Sequence, residues 1–586
     1  MTELAILVGT ALAGWILLTA PVRVQFAVLA FALALVPPLA RVPNGVTSQL
    51  FITRALVIAA GLGLLIRRHR YEVPGGPFRR HPVTLLLAFA LLVALVNGVL
   101  LVVDADLLRP AFFRWLLYVD QALIFVVLLA ALRSVDDLGW AARVVVLAFA
   151  AAALVGLFER LTGERPVAAI FGDVAPTLGR GLVERAGQPR PRGTFAFAQE
   201  FGLVLAFIAP LALATVGMVR GRLPRFLPVG LLVLVSLLTI TRSAVAAMAV
   251  GAVVVLLFSG SAGARRVVVT GALVAVAAAL LFPAWRQSFT GQQAQRSTQV
   301  RIDRVPLVTE LAADRPFTGA GFLGVADEVP AADNQLLLTY GEQGVLGVVT
   351  WTAVWVGAAV ATAWGIRGPG IGRLVAAGAL GGLLGALSAA PVIDLFTLGG
   401  SRAFWILAAL GAAAAEGSAR LRGPARPRAV AALLGIGIAV GVSVVVAYPR
   451  TSARSFVFET WPVSAAAASG GSGFAVGEVY TNTVCRFADS FDEQRPGIGV
   501  DCREVARTSG VGRLRLTAPE DEELDQAVAE LAGVGDVLTG LRLHPIGATA
   551  DAIPAVATTA PVWVPALLLF LAGLRWFRPV VRLTPA

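Results

Sequence analysis

Apolar runs alternate with short polar gaps along almost the whole chain. The runs fall at 4–18, a second ending near 39, then 50–66, 83–103, 112–132, 141–157, 201–219, 226–240, 244–258, 267–282, 345–364, 374–390, 403–415, 430–447 and 562–574. They are continuous rather than alternating, and most have the length that crosses a bilayer as an α-helix. A barrel would alternate lipid-facing and lumen-facing positions. An open sheet would leave edge N–H and C=O groups without partners in lipid. The pattern therefore predicts an all-α polytopic membrane protein with about 15 transmembrane helices (13–15). The first run has no basic leader and reads as a retained helix. If the first two runs form one hairpin, the helix count changes.

The polar gaps orient the helices. Arg67-Arg68-His69-Arg70 and Arg79-Arg80-His81 form the densest basic loop, and basic loops stay on the cytoplasmic side. Counting from there puts the N-terminus outside and the C-terminus inside. Residues 1–447 then form a transmembrane domain with two long outer loops, 159–196 and 284–334. Residues 448–560 are polar enough to fold as a small extracytoplasmic α+β domain. Strands are predicted at 510–516 and 538–544, with a helix at 522–531 that places Leu524, Val528 and Leu531 on one face. A last helix over 561–577 leaves 578–586 in the cytoplasm. Cys485 and Cys502, the only cysteines, both lie in this outer segment, where a disulfide is permitted. Two cysteines and a distant His544 fall short of a four-ligand metal site, so no metal and no cofactor is expected.

Composition sharpens this picture. Of 586 residues, 57% are hydrophobic and 14% charged, against about 25% charged in soluble domains. The net charge of +12 is carried by arginine alone, because the chain contains no lysine. Schiff-base and other lysine chemistry is excluded. Arginine in the short inner loops follows the usual bias, but both long outer loops are also arginine-rich. Either these long segments are simply solvated, or the outer face binds a polyanion, for which the planar guanidinium is suited.

The stretch 301–344 concentrates charge at the mouth of a helix, and four motifs can be read on or near it. Pro191-Arg192-Gly193-Thr194-Phe195 opens one helix, and Leu237-Leu238-Thr239-Ile240-Thr241-Arg242-Ser243-Ala244 forms a turn between two others. Arg301 is followed by Arg315-Pro316-Phe317-Thr318-Gly319-Ala320-Gly321, and Asp333-Asn334-Gln335-Leu336-Leu337 by Gly341-Glu342-Gln343-Gly344. In order, spacing and common outer placement they resemble the R-x-G-T-F, L-L-T-x-S-R-G/S-A, P-L-x-G-x-G and H/D-N-x-x-L…E-x-G elements of the O-antigen ligase and O-antigen polymerase superfamily. The resemblance covers roughly 141–415.

That resemblance implies a glycosyltransferase that moves or polymerises a glycan from a polyprenyl-diphosphate lipid onto an acceptor hydroxyl, at the outer face of the bacterial cytoplasmic membrane. It implies Arg242 and Arg301 as diphosphate contacts, able to act without a metal, and Asp333 as the group that receives the hydroxyl proton. Arg192, Arg304, Arg315, Asn334 and Arg402 are further candidates for substrate binding. Family ligases carry histidine where this chain has Asp333, and His69, His81 and His544 all lie elsewhere, so the polymerase or exopolysaccharide branch fits better. The expected partners are the lipid-linked donor, a glycan, lipid or protein acceptor, membrane lipids and other envelope-assembly proteins, with no nucleic acid.

Plainer roles stand beside these. Arg242 could cap its turn and anchor headgroups. Arg301 and Arg304 could pair with Asp303, Glu310 or Asp314. Asp333-Asn334 could cap the next helix. Glu342 reads as structural. A transporter of lipid-linked glycans and a non-enzymatic scaffold are the rival classes.

Overall fold

The computed structural model describes residues 2–38, 40–41, 51–66, 81–100, 105–135, 137–171, 183–185, 188–218, 222–259, 305, 308–309, 311–313, 315–322, 334–390, 400–420, 452–459, 499–506, 511–517 and 542–550. The helices are α1 (Thr2–Thr19), α2 (Val22–Leu35), α3 (Ile52–Ile66), α4 (Pro82–Leu95, continued as a π-turn Val96–Leu100), α5 (Ala105–Arg133), α6 (Leu138–Thr162) and the short α7 (Pro166–Phe171). A hairpin of β1 (Val183–Arg185) and β2 (Gln188–Arg190) follows. Next come α8 (Ala198–Thr215), α9 (Arg222–Leu238), α10 (Arg242–Ser259), α11 (Gln335–Gly365), α12 (Gly370–Ala389) and α13 (Gly400–Arg420).

Among the described residues, six helices are long and apolar enough to cross a membrane: Pro82–Leu100, Ala111–Arg133, Leu138–Thr162, Ala198–Thr215, Gln335–Gly365 and Gly370–Ala389. Glu3–Thr19, Val22–Leu35, Ile52–Ile66, Phe226–Leu238 and Arg242–Phe258 are shorter apolar helices. The expected runs at 267–282, 430–447 and 562–574 lie outside the described residues. One boundary differs from expectation. The helix predicted from 345 begins directly after a kink at Gly344 (φ 66, ψ −166), and an additional helical stretch from Gln335 precedes it; the two together are α11.

The burial pattern suits lipid. Leu85, Phe89 and Leu92 share one exposed stripe of α4, and Leu147, Leu154, Phe158 and Leu161 another on α6. α8, by contrast, is buried on all sides, as a helix apolar all round should be. Glycines of α12 bring it onto its neighbours: a Cβ at Gly382 would lie 2.2 Å from the Phe207 carbonyl of α8, and one at Gly385 2.7 Å from the Ala247 carbonyl of α10. Small residues at such contacts are the usual means of helix association in membranes.

The chain divides into two compact units. The first, residues 1–301, 317–326 and 331–441, holds the helices. The second, residues 302–316, 327–330 and 442–586, includes an antiparallel sheet of order β4-β5-β3-β6, built from β3 (Ser452–Glu459), β4 (Gly499–Ala506), β5 (Val511–Thr517) and β6 (Arg542–Ala550). β5 and β6 fall at the two predicted strands, shifted a few residues toward the C-terminus. β3 and β4 were not expected. Cys502 sits on β4, paired in register with Leu514. Cys485 and the helix predicted at 522–531 lie outside the described residues.

Contacts within the helical unit sort the helix ends into two sets. Arg133 at the end of α5 binds Glu416 of α13, Nε–Oε2 2.9 Å. Ser418 Oγ lies 3.3 Å from the Gly365 carbonyl of α11, and Arg373 of α12 donates to the Phe258 carbonyl of α10 at 2.9 Å. The opposite set joins the ends of α2, α6 and α9 to the starts of α3, α8, α10 and α13. The helices therefore alternate in direction, as the reading of the arginine loops requires.

Candidate active site

The first two of the four motifs sit at that second set of ends, and each is built by contacts distant in sequence. Glu159, at the end of α6, is fully buried. Its Oε2 accepts from the backbone N–H groups of Arg192 (2.9 Å) and Gly193 (2.8 Å), and its Oε1 lies 3.5 Å from Arg165 Nε. One carboxylate thus shapes the turn that opens the Arg-x-Gly-Thr-Phe element. Gly193 has φ +53, and a Cβ there would lie 2.6 Å from the Phe201 ring, so only glycine fits. Thr194 then donates to the Ala34 carbonyl at 2.8 Å, satisfying one of the orphan carbonyls at the end of α2.

The same strand controls the next motif. Arg190 Nε donates to the Thr239 carbonyl (2.6 Å) and Nη2 to Thr241 Oγ1 (3.1 Å). Between them Ile240 takes φ +51, rare for a β-branched residue. Arg242 follows as the first residue of α10, half-buried. Among the described residues, no hydrogen-bond or ion-pair partner holds its guanidinium. A cation at a helix N-terminus opposes the helix dipole, so the dipole does not account for its place there. Arg192 is also half-buried, and its Nη1 lies 3.4 Å from the Ala196 carbonyl. Burial and the adjacent Arg165 cation hold the Arg192 guanidinium below its usual range, while Glu159 pulls it back up.

The third and fourth motifs form a second knot. The N–H groups of Ala320 and Gly321 donate to the Gly341 (2.7 Å) and Glu342 (3.1 Å) carbonyls, and Leu346 N–H donates to the Phe317 carbonyl (3.3 Å). Breaking α11 at Gly344 frees these groups, and the 317–321 turn takes them up. The fit is backbone to backbone. A Cβ at Gly344 would lie 2.3 Å from Phe317 C, and one at Gly319 2.5 Å from Gln343 N. The π-turn of α4 closes the knot: Asn97 Nδ2 donates to the Gln343 carbonyl (3.0 Å), and Phe322 N–H to the Gly98 carbonyl (3.1 Å). Glu342, fully buried, pairs with Arg114 of α5 at 2.5 Å. Asn334 caps α11, its Oδ1 accepting from Leu337 N–H at 3.0 Å.

α5 runs from this knot to a buried charge cluster. Its Tyr118 stacks on Phe322, ring centroids 5.4 Å apart. Asp120 accepts from Arg54 Nε (2.6 Å) and Nη2 (2.7 Å). Arg402, expected at a substrate, is buried at 5% exposure. It donates to the Val36 carbonyl (2.8 Å), to the Leu33 carbonyl (3.3 Å) and to Thr53 Oγ1 (2.9 Å), with Glu200 and Asp120 as the acidic groups facing it. All these partners are the protein's own, and the cation sits where the end of α2 is negative. Arg315 belongs to the second unit and is exposed. Arg301, Arg304 and Asp333 lie outside the described residues.

Glu159, Arg165, Arg190, Asn97 and Arg114 are structural parts of the site that motif reading did not single out. A buried glutamate at a helix end ahead of an arginine-rich loop was the one available signal. It also revises the view of the first outer loop. Arg165 and Arg190 build the fold there, and Arg160 donates to Gln188 Oε1 at 2.6 Å.

Residues 227–352 match the family model described as O-Antigen ligase. The matched segment runs from α9 through the Arg242 turn and the 317–321 turn into the broken α11, and it supports the O-antigen ligase/polymerase superfamily for this chain. A comparison with curated proteins finds no match.

Proposed function

We propose that the protein is a membrane glycosyltransferase that transfers or polymerises a glycan from a polyprenyl-diphosphate carrier onto an acceptor hydroxyl, at the outer face of the bacterial cytoplasmic membrane. The observation that carries this reading is Arg242: a half-buried guanidinium without a partner among the described residues, at the start of a helix, inside the segment matching the O-antigen ligase model. Its charge and the first N–H groups of α10 suit a phosphate oxygen. In the reaction, the acceptor oxygen forms a bond to the anomeric carbon as the bond from that carbon to the diphosphate oxygen breaks. The electron pair leaves with the diphosphate, whose charge Arg242 and Arg301 stabilise. The hydroxyl proton passes to Asp333. Arg192, Arg304 and Arg315 are further candidates for binding the substrate, as is Asn334, which caps α11. We read the outer segment 448–560, with its Cys485–Cys502 disulfide, as a docking element for acceptor or partner proteins, and the full count of spans as about 15.

The test uses full-length protein in lipid vesicles with a polyprenyl-diphosphate oligosaccharide and an acceptor glycan. Acceptor-dependent release of polyprenyl diphosphate is expected. Arg242→Ala and Arg301→Ala should each slow it about 100- to 1000-fold, and Asp333→Asn about 100-fold or more. Loss in the arginine variants alone would leave Asp333 a helix-capping role. The broken α11 favours a second reading, a transporter, since interrupted helices line many transport paths. Movement of the intact lipid-linked glycan between leaflets, without release, would select it.

A further inference from the structure

We propose that Arg190 is a positioning residue: it sets the turn Thr239-Ile240-Thr241 and thereby holds Arg242 where a phosphate group meets it. This rests on Arg242 as a diphosphate contact. The turn is not self-supporting. Ile240 holds a positive φ that a β-branched side chain disfavours, so something outside the turn must impose it. Within the turn Thr239 Oγ1 lies 2.7 Å from the Ser236 carbonyl and 3.0 Å from Thr241 Oγ1. From α8, Gly202 leaves room for Thr239, where a Cβ would lie 2.2 Å from Oγ1, and its carbonyl accepts from Ser236 Oγ at 2.8 Å.

Arg190 supplies the remaining constraint. Its planar guanidinium binds the carbonyl before Ile240 and the hydroxyl after it, at 2.6 and 3.1 Å, and so spans the strained residue. A fork with fixed donor spacing can do this; a lysine ammonium cannot hold both acceptors in the same plane. Two residues further on, the backbone of Arg192 is fixed by Glu159. The short segment 190–192 therefore couples the turn that places Arg242 to the Arg192 backbone held by Glu159.

The test compares wild type with Arg190→Gln, Arg190→Lys, Arg242→Ala and the double variant Arg190→Gln/Arg242→Ala, all full-length in lipid. Donor turnover is followed as kcat and KM. Arg190→Gln should lower kcat/KM about 100-fold, the scale of a misplaced reacting group, and Arg190→Lys should recover part of it. Adding Arg190→Gln to Arg242→Ala should cost nothing further. Equal losses in both backgrounds would overturn the proposal, because a general structural role does not depend on Arg242. An activity-independent arm measures the rate at which phenylglyoxal modifies Arg242, read by peptide mass spectrometry. Arg190→Gln should change it several-fold and leave Arg143, at the opposite helix ends, unchanged. An unchanged Arg242 rate, or equal changes at both arginines, would sink the idea. If wild type releases no carrier, the enzymatic reading fails while the labelling still decides whether Arg190 sets the turn.

Discussion

Glu159 and Glu342 are both without solvent exposure, and each faces an arginine. Removing one partner of a buried ion pair leaves a charge that the interior cannot solvate. Glu159→Gln keeps an acceptor for the Arg192 and Gly193 N–H groups but removes the charge facing Arg165. It should cost about 3 kcal/mol of stability, measured as a lowered unfolding midpoint in detergent. Arg114→Ala should cost a similar amount by leaving Glu342 ionised and buried. The contrast with Arg242 separates the roles. Arg242 has no partner among the described residues, so Arg242→Ala should hold or slightly raise the midpoint while activity falls. A midpoint that drops with Arg242→Ala as far as with Glu159→Gln would make Arg242 a structural residue.

At the level of elements, the break in α11 is decided by two glycines that interlock. Gly344 lies in a backbone region open essentially to glycine, where other residues cost about 1–3 kcal/mol from the backbone alone, and its missing Cβ admits Phe317. Gly344→Ala and Gly319→Ala should each reduce the yield of folded, monodisperse protein. Gly372→Ala on α12 meets no atom within 4 Å, and should be neutral or slightly stabilising, since alanine is the better helix former. The apolar run from 345 is plain in the sequence, and so is the cap at Asn334. The kink that joins them is not, because the carbonyls of Gly341 and Glu342 find their donors in a turn some twenty residues earlier in the chain.

For the molecule as a whole, the sorting of helix ends makes a topological prediction. With Cys485 and Cys502 replaced, Glu164→Cys should react with an impermeant maleimide added outside intact cells, and Ile371→Cys should react only after permeabilisation. Glu164 lies at the motif-bearing ends and Ile371 at the start of α12, against α6's first turn. The reverse pattern would put the Arg242 turn in the cytoplasm and remove its access to an outer-face acceptor.

Sequence alone determined that this chain is helical and membrane-embedded, because continuous apolar runs have few other stable solutions in lipid. It determined the alternation of helix direction through the placement of arginine, and a resemblance to the O-antigen ligase/polymerase superfamily through short motifs around Arg192, Arg242, the 315–321 turn and Asn334. All of these are local properties, readable within a window of a few residues. Only the tertiary structure decided which arginines are spoken for. Arg402 and Arg190 look no different from Arg242 in composition or hydropathy. Yet Arg402 satisfies the carbonyls ending α2, Arg190 spans the turn at Ile240, and of the three only Arg242 has no partner among the described residues. The physical reason is that a buried guanidinium is defined by its acceptors. Those acceptors, from Val36 to Thr239, are brought to it by the packing of helices far apart in the chain.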